Sequence, residues 1–480
     1  MSRLTPVTAP ASPPALVGAL AIVLALLSAA LVSFDADLSR MLPDRIWRAL
    51  HIEDIPLKLS LTMPPLLIAL WWARRFVQDW PLHHVAIALI FVGAQTGGIK
   101  LGPIDLLDIA TISVLLAGVA IRLKDTAATL KITSLLFFAA GLFGLNFLTL
   151  IHQHPVQHLV GAIGFFKVAI LAAILLHLIN DEKSISFAVR ALITVALLSS
   201  LSALFQSMLY YAFGIDLTFI DHFGGADTHF KPTPFGLLPR ASAFNSTAQH
   251  LSSFLLIALP FALFERSNRS RLMWKFFKVN ILLGGILATW NFGAIFAALF
   301  VIGLYPYVRW PRHIIQIGMG MLLFIALLYF SGGLEWLYAH SFGDVGVGKG
   351  VSQRHTLMYL GLESLLRFPL IGEGLRGFTD TSGNFWHRPV HNAYLQAATE
   401  IGLLGALVFG ALLLTKLTQL AILARGVDNE AYAIRAGFLA LLGLGFLMFS
   451  EPMFDHSNTW LLLGLAEALI VWRASHKPDY

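Results

Sequence analysis

The stretch HRPVHNAYLQAATEIGLLGALVFG, residues 387–410, decides how this chain is read. It opens with two histidines, an arginine and an asparagine, then becomes an apolar run. Pro389 cannot continue a helix from upstream, and Asn392 is a residue type that caps helix starts. From Ala393 onward the sequence predicts a helix that continues through the apolar residues to 424. About 20 apolar residues are enough to cross the hydrocarbon of a bilayer. A polar cluster therefore stands at the mouth of a predicted membrane helix.

The rest of the chain agrees with that reading. Of its 480 residues, 57% are hydrophobic and only 12% are charged. A soluble domain carries about 25% charged residues. One very large soluble core is excluded as well, because single cores stop growing near roughly 250–300 residues. The sequence predicts an all-α polytopic membrane protein. Candidate spans lie near 15–33, 57–73, 82–98, 106–122, 133–151, 158–179, 186–211, 248–264, 276–290, 292–308, 313–331, 402–424, 433–450 and 458–473. Some are short or abut their neighbours, so about 12–14 transmembrane helices are expected. The first has an apolar core longer than that of a cleaved signal peptide and is read as a retained helix.

Lysine and arginine in short loops set the orientation. With a cytoplasmic N-terminus, one side collects Arg74, Arg75, Arg122, Lys124, Lys131, Lys183, Arg266, Arg269, Arg271, Lys275, Lys278, Arg309, Arg312, Arg473 and Lys477. Both termini are then cytoplasmic. The chain divides into an N-terminal bundle (1–211), an extracytoplasmic loop (212–247), further spans (248–331), a large extracytoplasmic loop (332–401) and C-terminal spans (402–480). Within the large loop, RHTLMYLGLESLLRF (354–368) places Leu357, Leu360, Leu365 and Phe368 at helical spacing. It is expected to be an amphipathic helix on the interface or on the bundle. The chain has no cysteine, which excludes disulfides and thiolate metal sites. The net charge of +6 is modest and suits loops facing anionic lipid rather than a nucleic-acid surface.

The polar residues of the two outer loops carry the chemistry. His391 precedes a helix start, where free amides and the positive dipole end attract anions. A further positive charge is disfavoured there, and an uncharged imidazole can accept a proton from a hydroxyl. A purely capping role for His391 and Asn392 is the competing reading. Arg354, Arg367, Arg376 and Arg388 share the large loop, and Arg240 ends the other. Guanidinium groups bind phosphate bidentately, although ion pairs with Glu335, Asp344, Glu363 and Asp380 would also satisfy them. PLIGEGLRGF (369–378) is a glycine-rich turn without the strand–helix context of a nucleotide loop. Lys167 and Lys416 fall inside apolar segments, where a charge is either functional or ion-paired.

Three stretches in order, RASAFNSTAQHLSSFLLIALPF (240–261), SQRHTLMYLGLESLLRFPLIGEGLRGF (352–378) and HNAYLQAATEIGLLG (391–405), resemble the bacterial O-antigen ligase and O-antigen polymerase superfamily. Arg354, Pro369, Gly372, Gly374, His391, Asn392, Tyr394, Glu400, Gly402 and Gly405 match its pattern over roughly residues 235–450. The family's Thr-x-Ser-Arg-Gly run is replaced by TWNFGA (289–294), so Phe292 stands where an arginine is expected. The resemblance implies a glycan transferase of the inner membrane. Its donor is an undecaprenyl-diphosphate-linked glycan, and its acceptor is another glycan or lipid A-core on the periplasmic face. It implies no cofactor and no metal. Chain-length or export proteins are the implied protein partners. On this reading His391 is the base, with Glu400 as the second candidate. Arg240, Arg354, Arg376, Arg388, Asn392, Tyr394 and Lys167 bind substrate. With Phe292 in place, Arg240 or another group must supply the missing charge. The competing readings are a lipid-linked sugar transporter, or flippase, and an inactive scaffold of a polysaccharide export complex.

The absence of native cysteine makes the sidedness directly testable. A single cysteine at position 391 should react with a membrane-impermeant thiol reagent applied at the outer face of the inner membrane. Reaction only after that membrane is breached would place the residue in the cytosol.

Overall fold

The computed structural model describes residues 82–95, 100–101, 104–105, 135, 141–142, 155–179, 181–213, 230–233, 236–245, 247–265, 272–310, 347–380, 383–385, 387–425 and 432–475. These fall within one compact unit, Leu82–Tyr480. The candidate spans at 15–33, 57–73, 106–122 and 313–331, and most of that at 133–151, lie outside the described residues.

The described chain is mostly helical. Its helices are α1 (Leu82–Ala94), α2 (Pro155–Leu178), α3 (Glu182–Phe213), α4 (Ala248–Phe264), α5 (Leu272–Ala288), α6 (Phe292–Arg309), α7 (Val347–Arg367), α8 (Ala393–Ala424), α9 (Tyr432–Leu447) and α10 (Ser457–Ser475). Among the described residues, α3, α6 and α8 are long and apolar enough to cross a membrane. Two short antiparallel pairs depart from the all-α expectation. They are β1 (Lys100–Leu101) with β2 (Ile104–Asp105), and β3 (Phe230–Thr233) with β4 (Gly236–Pro239). Strands this short leave no readable alternation in the sequence. Pairing nevertheless satisfies their backbone groups, which a connecting loop must do somehow.

The bundle is organised around α4. This helix is apolar around its whole circumference and is buried along nearly all of its length. An all-round apolar helix is stable only when neighbours or lipid cover every face. Here α9, α5, α3 and α6 pack on it. A second pairing, α2 with α10, lets backbones come close. A Cβ on Gly464 would stand 2.7 Å from the Ala172 carbonyl oxygen. Polar side chains gather at one end of the bundle. Asn291 donates to Ser252 at 3.0 Å, and Asn458 donates to Ser253 and to the His250 carbonyl, each at 2.8 Å. Asn245 donates to Gln95 at 3.0 Å, and Gln206 donates to the Ala243 carbonyl at 2.9 Å. Interhelical bonds of this kind in apolar surroundings contribute on the order of 0.6 kcal/mol each. They join the C-terminal end of α1, the C-terminal part of α3 and the starts of α4, α6 and α10. Connections that the sequence assigns to a single side of the membrane therefore meet at a single end.

The helix that decided the sequence reading is broken. α8 continues past Glu400, but Gly402 has φ 74° and ψ 176°, far from helical values. The break frees helix amides and carbonyls, and the turn at 369–374 fills it. Glu373 N–H donates to the Thr399 carbonyl at 2.8 Å, Gly374 N–H to the Glu400 carbonyl at 2.7 Å, and Leu403 N–H to the Pro369 carbonyl at 2.8 Å. Gly372 has φ 69°, and a Cβ there would lie 2.5 Å from Gly402 N and 2.6 Å from the Glu400 carbonyl carbon. Only glycine fits this approach of two backbones. The glycines of the turn and of the helix thus answer to each other.

Gly372→Ala should destabilise the protein by more than the 1–3 kcal/mol typical of backbone strain, because the obstructing atoms are main chain. A thermal-unfolding comparison in detergent would show a lower Tm. Gly410→Ala, where a Cβ meets nothing within 4 Å, should leave Tm unchanged.

Candidate functional site

The start of α8 is pinned before any charged group is considered. Asn392 is its N-cap, and its Oδ1 accepts from the Tyr394 and Leu395 amides, each at 3.0 Å. Asn392 Nδ2 donates to the Phe449 carbonyl at 3.2 Å, and Ala393 N–H donates to the Met448 carbonyl at 2.8 Å. The Tyr394 hydroxyl donates to the Gly445 carbonyl at 3.0 Å. These bonds hold the helix start against the end of α9. The segment just beyond α9 contains Glu451.

Glu451 is the centre of the charged cluster. It is 1% exposed. Arg354 Nη2 lies 3.5 Å from its Oε1, and His391 Nδ1 lies 3.8 Å from its Oε2. The imidazole contact is too long for a direct hydrogen bond, so the ring stands beside the carboxylate without bonding it. Burial alone would raise the Glu451 carboxyl. The adjacent His391 ring and the charges of Arg354 and Arg240 outweigh burial and hold it below its ordinary value. Arg240 belongs to the same field. Burial lowers its guanidinium to about 10; Glu451 acts against this, and the like charges of Arg354 and Arg388 add to it. It remains cationic at neutral pH. Arg388 donates to Gln353 at 3.3 Å, which ties the 384–391 loop to α7. Three of the residues expected from the sequence, Arg240, Arg354 and His391, are therefore brought together around one carboxylate, and Arg388 acts on Arg240 from the same loop region.

Arg240 also reaches the turn before Phe292. Its Nε donates to the Thr289 carbonyl at 3.1 Å, and Ala241 N–H donates to the Ala288 carbonyl at 3.0 Å. This is the TWNFGA turn. Gly293 of the same turn faces Ser450, the neighbour of Glu451, with no room for a Cβ. A guanidinium from another loop thus caps the carbonyl of this turn.

The other expected residues fall elsewhere. Glu400 is buried in a second polar group. Gln396 Nε2 bridges it to Asp455, at 3.2 Å from Glu400 Oε1 and 3.1 Å from Asp455 Oδ1. Among the described residues, Glu400 Oε2 has no hydrogen-bond partner. Arg376 approaches this group by backbone and charge, from an exposed position with φ 63°. Asn392 and Tyr394 are engaged in the architecture just described. Lys167 is half-buried on α2, near Phe165, which packs on Phe454 and Trp460. It is not among the charges that act on Glu451. Lys416 is wholly buried and pairs with Glu467 across α8 and α10, with Gln419 as a further acceptor at 3.0 Å. Arg367 pairs with Glu363 at 2.5 Å one turn away. No protein-family model matches this chain, and no curated protein matches it.

Sequence reasoning missed Glu451 and Asp455. SEPMFD (450–455) reads as a short connection between two spans. The orientation by loop charge does place that connection on the side of the two long outer loops. Acidic residues confined to such a short connection were the available signal.

Acid titration should expose Glu451. Its folded pKa lies below the ordinary 4.5, so its stabilising effect is complete above pH 4.5 and is lost as pH falls through the folded value. His456 acts in a higher window. Burial lowers it to about 4, so an unfolded chain takes up this proton first and stability declines from pH 6.5 to 4. Glu451→Gln should lower Tm at pH 7, since the arginines that converge here lose their counter-charge. It should keep the decline between pH 6.5 and 4 and lose the further drop below pH 4.5. An unchanged acid limb in the variant would show that the carboxylate is not held by these cations.

Proposed function

We propose that this protein is a membrane glycosyltransferase of the O-antigen ligase or O-antigen/exopolysaccharide polymerase type. It moves a glycan from an undecaprenyl-diphosphate carrier to an acceptor hydroxyl on the periplasmic face of the inner membrane. The chain has about 12–14 transmembrane helices, both termini are cytoplasmic, and the 332–401 loop is periplasmic and carries the site. The observation that carries the reading is the gathering of His391, Arg240 and Arg354 around buried Glu451, with Arg388 acting on Arg240, at one end of an apolar bundle.

Each group has a task in this reaction. His391 turns Nδ1 towards Glu451, which leaves Nε2 to take the proton of the acceptor hydroxyl. The hydroxyl oxygen attacks the anomeric carbon of the donor sugar. The bond from that carbon to the carrier diphosphate breaks, and the electron pair leaves with the diphosphate. Arg240, Arg354 and Arg388 stabilise the departing negative charge, which is the kind of fixed electrostatic help that speeds a transfer most. Glu451 keeps three guanidinium groups from repelling one another when no substrate is present, and it stabilises the imidazolium formed during the reaction. Glu400 acts one shell away by fixing Gln396 and Asp455. A transporter would be expected to place polar groups at helix breaks near mid-membrane. The break at Gly402 has Glu400 beside it but is filled by the protein's own turn.

His391→Ala should reduce transfer by about 10²–10⁴-fold while leaving membrane insertion intact. Arg354→Ala should impair donor use more than Arg354→Lys, because lysine keeps the charge and loses the fork. The assay is the length and yield of surface glycan in a deletion strain complemented with each variant. Normal glycan from His391→Ala would remove the base. Equal glycan from all three forms at position 354 would remove phosphate binding by that residue.

A further inference from the structure

The outer helix α7 has two apolar faces, and the bundle uses only one. Arg354, Leu357, Gly361 and Ser364, spaced i, i+3, i+7 and i+10, form the inward face. Leu357 and Ser364 are buried, and a Cβ on Gly361 would lie 2.8 Å from Val390 and 3.3 Å from Thr399. On the opposite side Tyr359, Leu362 and Leu366, spaced i, i+3 and i+7, are 70%, 51% and 82% exposed. The charged edge beside them is neutralised within the helix by the Glu363–Arg367 pair.

This exposed stripe does not end with the helix. It continues into Leu370, which is 69% exposed, and the preceding Pro369 carbonyl accepts from Leu403 N–H at the break in α8. Beyond the break, Leu403, Leu407 and Leu414 are 50%, 62% and 66% exposed and share one side of the apolar helix. The apolar surface of α7 and that of the α8 span are therefore continuous across a backbone hydrogen bond. We propose that the outward face of α7 contacts lipid and is immersed in the acyl-chain region of the leaflet at that end of the bundle. The same helix then carries Arg354 on its protein side at the depth of lipid headgroups. Tyr359 suits this level, because its ring is apolar and its hydroxyl can reach the headgroups. The Glu363–Arg367 edge does the same, since long side chains can lie along apolar surface with their charges at the interface.

The test needs no enzymatic activity. In the cysteine-free chain, Leu362→Cys, Leu366→Cys and Leu407→Cys are made singly, spin-labelled and reconstituted in phospholipid vesicles. Collision of the nitroxide with oxygen and with a water-soluble nickel chelate is then measured. Positions 362 and 366 should show the pattern of 407, with frequent oxygen collisions and few nickel collisions. Nickel collisions at 362 and 366 but not at 407 would show a wet face and overturn the proposal. Shielding of 362 and 366 from both reagents would show a protein cover, from a partner or a second copy, and would overturn it equally. Nickel collisions at all three would overturn it together with the placement of α8 in the membrane.

Discussion

A carboxylate taken out of water costs several kcal/mol unless cations and hydrogen bonds replace its hydration. Glu451 is such a carboxylate, and its replacements come from distant parts of the chain. Arg354 lies 97 residues before it on α7, His391 stands at the start of α8, and Arg240 ends the loop before α4. The arginines would in turn be poorly placed without the carboxylate, because like charges converge on the same small volume. The cluster is therefore held by mutual need. It ties residues 240, 354 and 391 to the connection between α9 and α10.

The glycine turn makes that arrangement rigid. By filling the break at Gly402, residues 369–374 bind the loop after α7 to the two halves of α8 through main-chain bonds. Glu400 sits at this junction, and Gln396 links it to Asp455. The two polar groups are consequently yoked. His391 and Gln396 belong to one helix start, and Glu451 and Asp455 to one connection. Displacing either segment disturbs both groups. In the proposed transferase, this yoke would keep the base at a fixed distance from the leaving-group cations while a bulky glycan enters.

Some residues singled out for substrate do structural work. Asn392 and Tyr394 spend their side chains on the α8 start and on α9 carbonyls. Lys416, which the sequence left as functional or ion-paired, is matched by Glu467 inside the bundle. This is the expected fate of polar groups in apolar surroundings, where an unpaired donor or charge is more costly than in water. A polar residue that looks functional in a hydrophobic sequence has first to be satisfied. Only groups left facing the loop end, such as His391 and the arginines, remain available for chemistry.

Local features were legible from the chain itself. Apolar length marked the helices, Pro389 and Asn392 marked the start of α8, and the spacing around Leu357 marked α7. These depend on neighbours a few residues apart, so the sequence by itself determined them. The resemblance in order of motifs picked out His391, Arg240, Arg354 and Arg388 together, but it could not say what holds four such groups in one place. Only the tertiary structure decided that Glu451 answers Arg354, that Arg240 reaches the 289–291 turn, and that Gly372 and Gly402 share one backbone contact. The physical reason is the same in each case. A charge or a glycine states a requirement, while the partner that meets it can come from anywhere in the chain and is chosen by packing.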